Sequence, residues 1–185
     1  MLDFASKFAA ALPYRAFLDK HGLPQDRRRW GDLEEQFRLT AAQRDLLATF
    51  VREMNVLCLA GAWCGDCVGQ CPILEHFARV CPKIHLRFTD RDADAELAAE
   101  LLLCGGGRVP VVVFLSEDFA ECGRYGDRTL SRYRAMADEQ LGAACSTGIA
   151  SADSLTQTAD DWLREFERIQ LMLRLSPRLR ERHGD

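Results

Sequence analysis

Apolar residues along this chain follow two different periods, and the change between them divides it. Phe4, Phe8 and Leu12 recur every four residues, as on one face of a helix. Pro13 and then Gly22-Leu23-Pro24 interrupt that pattern. Thr40-Ala41-Ala42-Gln43 has the form of a capping box, in which hydroxyl and amide close the open groups of a helix start. It predicts a helix over 41–54 that buries Leu47, Phe50, Val51 and Met54. From Asn55 the period shifts. Val56 to Ala60 is a continuous apolar run of strand length, as expected of a strand covered on both faces. Helical spacing returns over 65–80, with Ile73, Leu74, Phe77 and Val80 on one side. Over 83–89, Ile84, Leu86 and Phe88 alternate with polar residues, the period of a second strand. Asp92 is the expected cap of a helix that runs to Leu103 and stops at Gly105-Gly106-Gly107. Val111 to Leu115 is a third buried strand. Ser116-Glu117-Asp118 turns the chain into a fourth near 120–125, and a helix follows over 129–141.

Two strands joined by a helix imply parallel pairing, and two joined by a short turn imply a hairpin. The fold class is therefore α/β, a mixed central β-sheet flanked by helices, with helical extensions at both termini. Residues 1–185 read as one domain: a helical extension over 1–54, a core over 55–141, and a C-terminal part over 142–185. Residues 142–153 are small and polar, a linker. Beyond them Leu155, Ala159, Trp162, Phe166, Ile169 and Leu173 fall at helical spacing opposite Asp160, Asp161, Arg164, Glu165 and Arg168. This amphipathic helix either packs on its own domain or serves as the interface of a homodimer or another partner.

A length of 185 residues agrees with one domain large enough to fold without crosslinks. The apolar run from Val109 to Leu115 is far shorter than a membrane span. Met1-Leu2-Asp3-Phe4 lacks the basic leader and apolar stretch of a signal peptide, so a cytoplasmic location is expected. A net charge of −4 gives no sign of nucleic-acid binding. Arg27-Arg28-Arg29 reads as a solvated face. The excess of 21 Arg over 3 Lys says little about function. The triple glycine lacks the Lys and Ser/Thr of a phosphate-binding loop.

Cysteine changes the picture. There are eight, at 58, 64, 67, 71, 81, 104, 122 and 145. In a reducing compartment they are expected as thiols. Cys64-Gly65-Asp66-Cys67 follows a buried strand and opens a helix. Backbone N–H groups and the helix dipole at that point favour thiolate on the first cysteine. A thiolate attacks a disulfide, and a second cysteine one turn on can resolve the mixed disulfide. Pro110, ahead of a buried strand, suggests a turn locked at the strand start, with a cis bond as one form of it. Pro72, inside the helix, is expected to kink it.

Trp63-Cys64-Gly65-Asp66-Cys67, Pro72, Val109-Pro110 before Val-Val-Val-Phe, and Gly126 after the last strand resemble the thioredoxin superfamily over roughly 55–141. The helical N-terminus with Asp90-Arg91-Asp92 is similar to a bacterial subgroup carrying such an extension. The resemblance implies that Cys64 attacks and Cys67 resolves. It also implies that Val109 and Pro110 form a cis-proline loop whose first residue pairs its backbone with substrate, and that Trp63 walls the site. Two departures stand out. Asp66 occupies the usual proline position. Cys58 replaces a buried Asp that is thought to help move the resolving cysteine's proton. Asp66 either takes over that role or complements the helix N-terminus. As a like charge near Cys64 it should oppose thiolate formation, which predicts a reducing couple near about −270 mV.

The function expected is a thiol–disulfide oxidoreductase, reducing or exchanging protein or small-thiol disulfides, with Gly65 and Asp66 supporting the pair. It needs no bound cofactor; electrons would come from a reductase or a low-molecular-weight thiol. One alternative is an adaptor that uses the fold without redox turnover. Another is a thiolate metal site on Cys64, Cys67 and Cys71, against which stands the lack of a second Cys-x-x-Cys. Cys71 reads as a buried small side chain, with a spare resolving thiol as the alternative. A disulfide between Cys104 and Cys64 is a further alternative. Cys58, Cys81, Cys122 and Cys145 read as structural, and the four histidines as incidental.

Overall fold

The computed structural model describes residues 2–141 and 154–185. Its elements are α1 (Phe4–Ala10), α2 (Tyr14–His21), α3 (Pro24–Gln36), α4 (Ala41–Ala48), β1 (Met54–Ala60), α5 (Gly65–Val80), β2 (Ile84–Asp90), α6 (Ala95–Glu100), β3 (Val111–Leu115), β4 (Glu121–Gly126), α7 (Leu130–Leu141), α8 (Ser154–Leu175) and α9 (Pro177–His183). Strand order is β2-β1-β3-β4. β1 runs parallel to β2 and antiparallel to β3, and β3 forms the hairpin with β4. β1 and β3 are buried along their whole length, which is why they read as unbroken apolar runs. β2 alternates as its sequence predicts. Among the described residues no helix is long and apolar enough to cross a membrane.

Several boundaries differ from the sequence expectation. The helix expected over 41–54 stops at Ala48. The Val51 and Arg52 N–H groups donate to Gln170 Oε1 at 3.2 and 2.8 Å, and Gln170 Nε2 donates back to the Arg52 carbonyl at 3.1 Å. This amide on α8 holds the segment open, so Val51 is exposed and Met54 begins β1. Val80, at the end of α5, is exposed rather than buried. Asp94, not Asp92, caps α6: its carboxylate accepts from Leu97 N–H at 2.9 Å, whereas Asp92 is held by Arg91 at 2.8 Å. α6 ends at Glu100 rather than Leu103, and Leu103 instead bridges to Gly106. Helix α9 had no counterpart in the sequence reading. The expected linker over 142–153, with Cys145, lies outside the described residues.

Both terminal extensions pack on the sheet. Tyr14, Phe17 and Trp30 form an aromatic cluster with Phe88 of β2. Leu12 and Phe88 exchange backbone hydrogen bonds of 2.8 and 2.7 Å, covering part of the β2 edge. The α8 stripe (Ala159, Trp162, Phe166, Ile169, Leu173) is fully buried in its own chain. Phe166 meets both Phe77 of α5 and Phe114 of β3 edge-on. This is the own-domain packing. The exposed apolar residues of α8 are instead Leu171, Met172 and Leu175.

Candidate active site

β1 ends at Ala60, and a short turn delivers the chain into α5. A side chain at Gly61 would lie 2.8 Å from the Trp63 indole, so glycine lets the ring fold over the turn. Trp30 fixes this turn from the N-terminal extension by donating its indole N–H to the Ala62 carbonyl at 2.8 Å. Cys64 is the N-cap of α5 and is half-buried, while Cys67, in the first turn, is buried. The Cys64 thiol donates to the Val109 carbonyl at 3.5 Å, and the Gly61 N–H donates to Cys67 Sγ at 3.4 Å. The Val109-Pro110 peptide is cis. Behind it Gly126 has φ +156°, and a side chain there would come within 2.3 Å of the Pro110 carbonyl oxygen. Glycine is therefore required for β4 to pass the proline loop.

The two thiols titrate as a pair. Burial works against charge on Cys67, but hydrogen bonds with the Cys64 and Cys71 thiols and the Gly61 N–H prevail and bring it down to about 5. The same Cys64–Cys67 hydrogen bond, with burial, holds the Cys64 proton well above the ordinary thiol value. The lowered value on Cys67 and the raised value on Cys64 favour a single proton shared by the pair. Cys64 is the sulfur nearer the surface, and backbone N–H groups of Asp66 and Cys67 favour charge on it. Moving the shared proton inward to Cys67 places the thiolate where a substrate reaches it.

The rim combines aromatic and charged groups around a groove of about 190 Å³ lined by Trp63, Cys64, Val109, Arg91, Arg108 and Arg128, among others. The Arg91 guanidinium lies 4.7 Å from the centre of the half-exposed Trp63 ring and donates to the Gly107 carbonyl at 3.3 Å. Asp66 is paired with Arg128 at 2.6 Å. Asp127, buried, accepts from Arg108 at 3.0 Å, from Arg128 at 3.3 Å and from the Tyr133 hydroxyl. Burial pushes its carboxyl up, but the Tyr133 and Arg108 hydrogen bonds outweigh this and leave it below the usual carboxylate range. Gln70 of α5 donates to the Asp127 and Asp66 carbonyls at 2.8 and 3.1 Å, and accepts from the Trp162 indole at 2.9 Å. The C-terminal helix thus reaches the site through one buried amide.

The structure brings Trp63, Cys64, Asp66 and Val109 to one groove, with Gly65 and Cys67 in the first turn behind it and Pro110 in the loop beside it. The sequence reading did not pick out Arg108, Arg128, Asp127 or Gln70 for the site, and named Arg91 only as part of a family-like triplet. An arginine beside each motif was the only local signal, in a chain rich in arginine. Cys71 is buried, and its Sγ lies 3.9 Å from Cys58 Sγ. Cys104 is exposed and does not line the groove. The seven described cysteines are free thiols. Among the described residues no group of three or more His, Cys, Asp or Glu side chains is placed to hold a metal ion.

Comparison with known proteins extends this picture. A family profile described as thioredoxin matches residues 13–140. No curated protein sequence matches the chain. A solved protein of unknown function from Pseudomonas aeruginosa is 22% identical with a TM-score of 0.69, over 91% of this chain and 97% of that one. An HIV epitope scaffold is 21% identical with a TM-score of 0.66, over 91% and 97%. Thioredoxin of Fasciola hepatica is 23% identical with a TM-score of 0.37, over 54% and 91%.

Proposed function

We propose, for a chain that belongs to the thioredoxin family, that Cys64 and Cys67 are a redox pair that reduces or exchanges disulfides. The observation that carries this is the seating of the pair: Cys64 Sγ at a helix start and 3.5 Å from the Val109 carbonyl, with buried Cys67 behind it. In the first step the Cys64 thiolate attacks one sulfur of the substrate disulfide. That S–S bond breaks, a Cys64–substrate bond forms, and one substrate thiolate leaves. In the second step Cys67 gives up its proton and attacks Cys64 Sγ. The second substrate thiolate departs with that proton, and the pair is left as a disulfide. Val109 offers backbone groups to an extended substrate chain, and Trp63 offers a flat apolar wall. A low-molecular-weight thiol or a reductase returns two electrons. Free thiols at the seven described cysteines suit a reducing compartment such as the cytoplasm.

Redox titration tests the reading. The protein is equilibrated in graded dithiol buffers, alkylated, and its peptides are weighed. A two-electron Cys64–Cys67 transition near about −270 mV is expected, and one near about −120 to −180 mV would mark an oxidant or isomerase instead. A pair that closes at no potential overturns the proposal. The Cys67→Ser variant should trap substrates as mixed disulfides on Cys64, and Cys64→Ser should not. An adaptor would retain its partners in both.

A further inference from the structure

The redox pair is the outer end of a row of four sulfurs. Cys64 caps α5 and Cys67 lies in its first turn, Cys71 follows Cys67 one helical turn deeper, and Cys71 Sγ lies 3.9 Å from Cys58 Sγ on β1. Cys58, Cys67 and Cys71 are each fully buried. Farther along α5, Ile73, Leu74 and Phe77 are fully buried. A lone buried cysteine acts as a small apolar side chain. Here the thiols follow one another from the groove along α5, and the last of them meets Cys58 on β1.

We propose that Cys58 and Cys71 form a second, inner dithiol that exchanges electrons with the outer pair through Cys67. The proposal rests on the redox reading of Cys64 and Cys67. It begins after a substrate disulfide has oxidised the outer pair. Cys71 attacks Cys67 Sγ; the Cys67–Cys71 bond forms, the Cys64–Cys67 bond breaks, and Cys64 leaves as a thiolate that takes up the proton Cys71 released. Cys58 then attacks Cys71 Sγ; the Cys58–Cys71 bond forms, and Cys67 leaves and takes up the Cys58 proton. The inner pair has lost two electrons, the outer pair has gained two, and two protons have moved outward. No reagent beyond the substrate disulfide is consumed. Closing the inner bond brings its sulfurs together by about 1.9 Å. Cys58 sits in a strand paired on both sides, to Phe88 and to Val112, so the approach falls to side-chain rotation of Cys71.

The electrostatics fit this order. While the outer pair is reduced, burial and the neighbouring Cys58 and Cys67 sulfurs hold Cys71 as a thiol, far above the usual value. Oxidising the outer pair removes the charge on Cys67. That eases ionisation of Cys71 at the step where it must attack. A fully reduced chain would then reduce two substrate disulfides before needing a reductant.

The test uses the full chain with Cys81, Cys104, Cys122 and Cys145 changed to Ser, alongside the unmodified protein. Reduced protein is mixed with excess glutathione disulfide, quenched in acid, alkylated in denaturant, and read by peptide mass. The expected result is the loss of four thiols per chain, with Cys64–Cys67 and Cys58–Cys71 linked peptides. Cys58→Ala should lower this to two while the outer bond still forms. With Cys64 and Cys67 both changed to Ser, the inner bond should no longer form. Three results overturn the proposal. In the first, two thiols are lost and Cys58 and Cys71 remain fully alkylated; the outer redox reading then stands alone. In the second, the inner bond forms without the outer pair. In the third, no thiol is lost, and the outer reading falls as well.

Discussion

Replacing Trp162 by Phe tests whether the C-terminal helix supports the site. Trp162 is fully buried, meets Tyr125 edge-on at 4.8 Å, and donates its indole N–H to Gln70 Oε1 at 2.9 Å. Phe keeps a ring but loses the donor and part of the volume. The orphaned oxygen of the buried Gln70 costs about 1–3 kcal/mol. The lost packing costs about 1–2 kcal/mol, less than the full truncation of a tryptophan. The variant should therefore lose about 2–5 kcal/mol, a fall in Tm of about 4–20 °C for a domain this size. Urea unfolding of wild type, Trp162→Phe, Gln70→Met and the double variant isolates the hydrogen bond, for which the cycle should return a coupling of about 1–2 kcal/mol. The effect should also reach the thiols, because Gln70 holds the Asp66 and Asp127 carbonyls. Cys64 alkylation should be altered in both single variants, and in the same direction. A loss below about 1 kcal/mol, or no coupling between the two positions, refutes the argument.

Three other substitutions follow from the same geometry. Arg128→Met leaves the Asp66 carboxylate uncompensated beside the thiols; the pH profile of iodoacetamide alkylation at Cys64 should move up by about one pH unit, and adding Asp66→Asn should restore it. Asp127→Asn removes a carboxylate whose pKa is depressed in the fold. Its contribution is full above the unfolded value near about 3.9 and lost as pH falls through the lower folded value. Urea midpoints of the variant should therefore fall less steeply between about pH 5 and 2 than those of wild type. Gly126→Ala places a methyl group 2.3 Å from the Pro110 carbonyl at φ +156°. It should cost about 2–5 kcal/mol by urea unfolding, and a cost under about 1 kcal/mol would contradict that contact.

What the sequence made legible was local. Cys64, Cys67 and the apolar run before them announce a strand, a turn and a helix start within a dozen residues. The alternation of Ile84, Leu86 and Phe88 and the apolar run at Val111–Leu115 likewise reflect burial on one face or two. What stayed hidden depends on partners far apart in the chain. Gln170 ends the helix at Ala48 from 118 residues beyond Arg52, and Trp162 reaches Gln70 across 92. Arg128 finds Asp66 across 62 residues. No period or motif marks such pairs, because each exists only once the sheet has brought its two elements together. Cys58 and Cys71 fall between these cases. Both were visible as residues, but only the packing of α5 on β1 places their sulfurs together.

Asp66 illustrates how one added charge is accommodated. A carboxylate between two cysteines opposes ionisation of both, and the sequence left two roles open for it. The structure pairs it with Arg128 at 2.6 Å, and Arg128 is itself held by the buried Asp127. A carboxylate engaged in this way is poorly suited to carry protons, since taking one up would break the ion pair that compensates it. The geometry therefore favours Asp66 as a fixed charge at the start of α5, stabilised there by the helix dipole and by Arg128. Beneath Cys67, among the described residues, Cys58 stands on β1 with Cys71 beside it in place of a carboxylate. Cys67 Sγ accepts from the Gly61 N–H at 3.4 Å, and its neighbours on α5 are the Cys64 and Cys71 sulfurs. None of these accepts the proton that Cys67 releases when it attacks: Cys64 is by then bonded to substrate, Cys71 is already a thiol and the Gly61 N–H is a donor, so the departing substrate thiolate takes it.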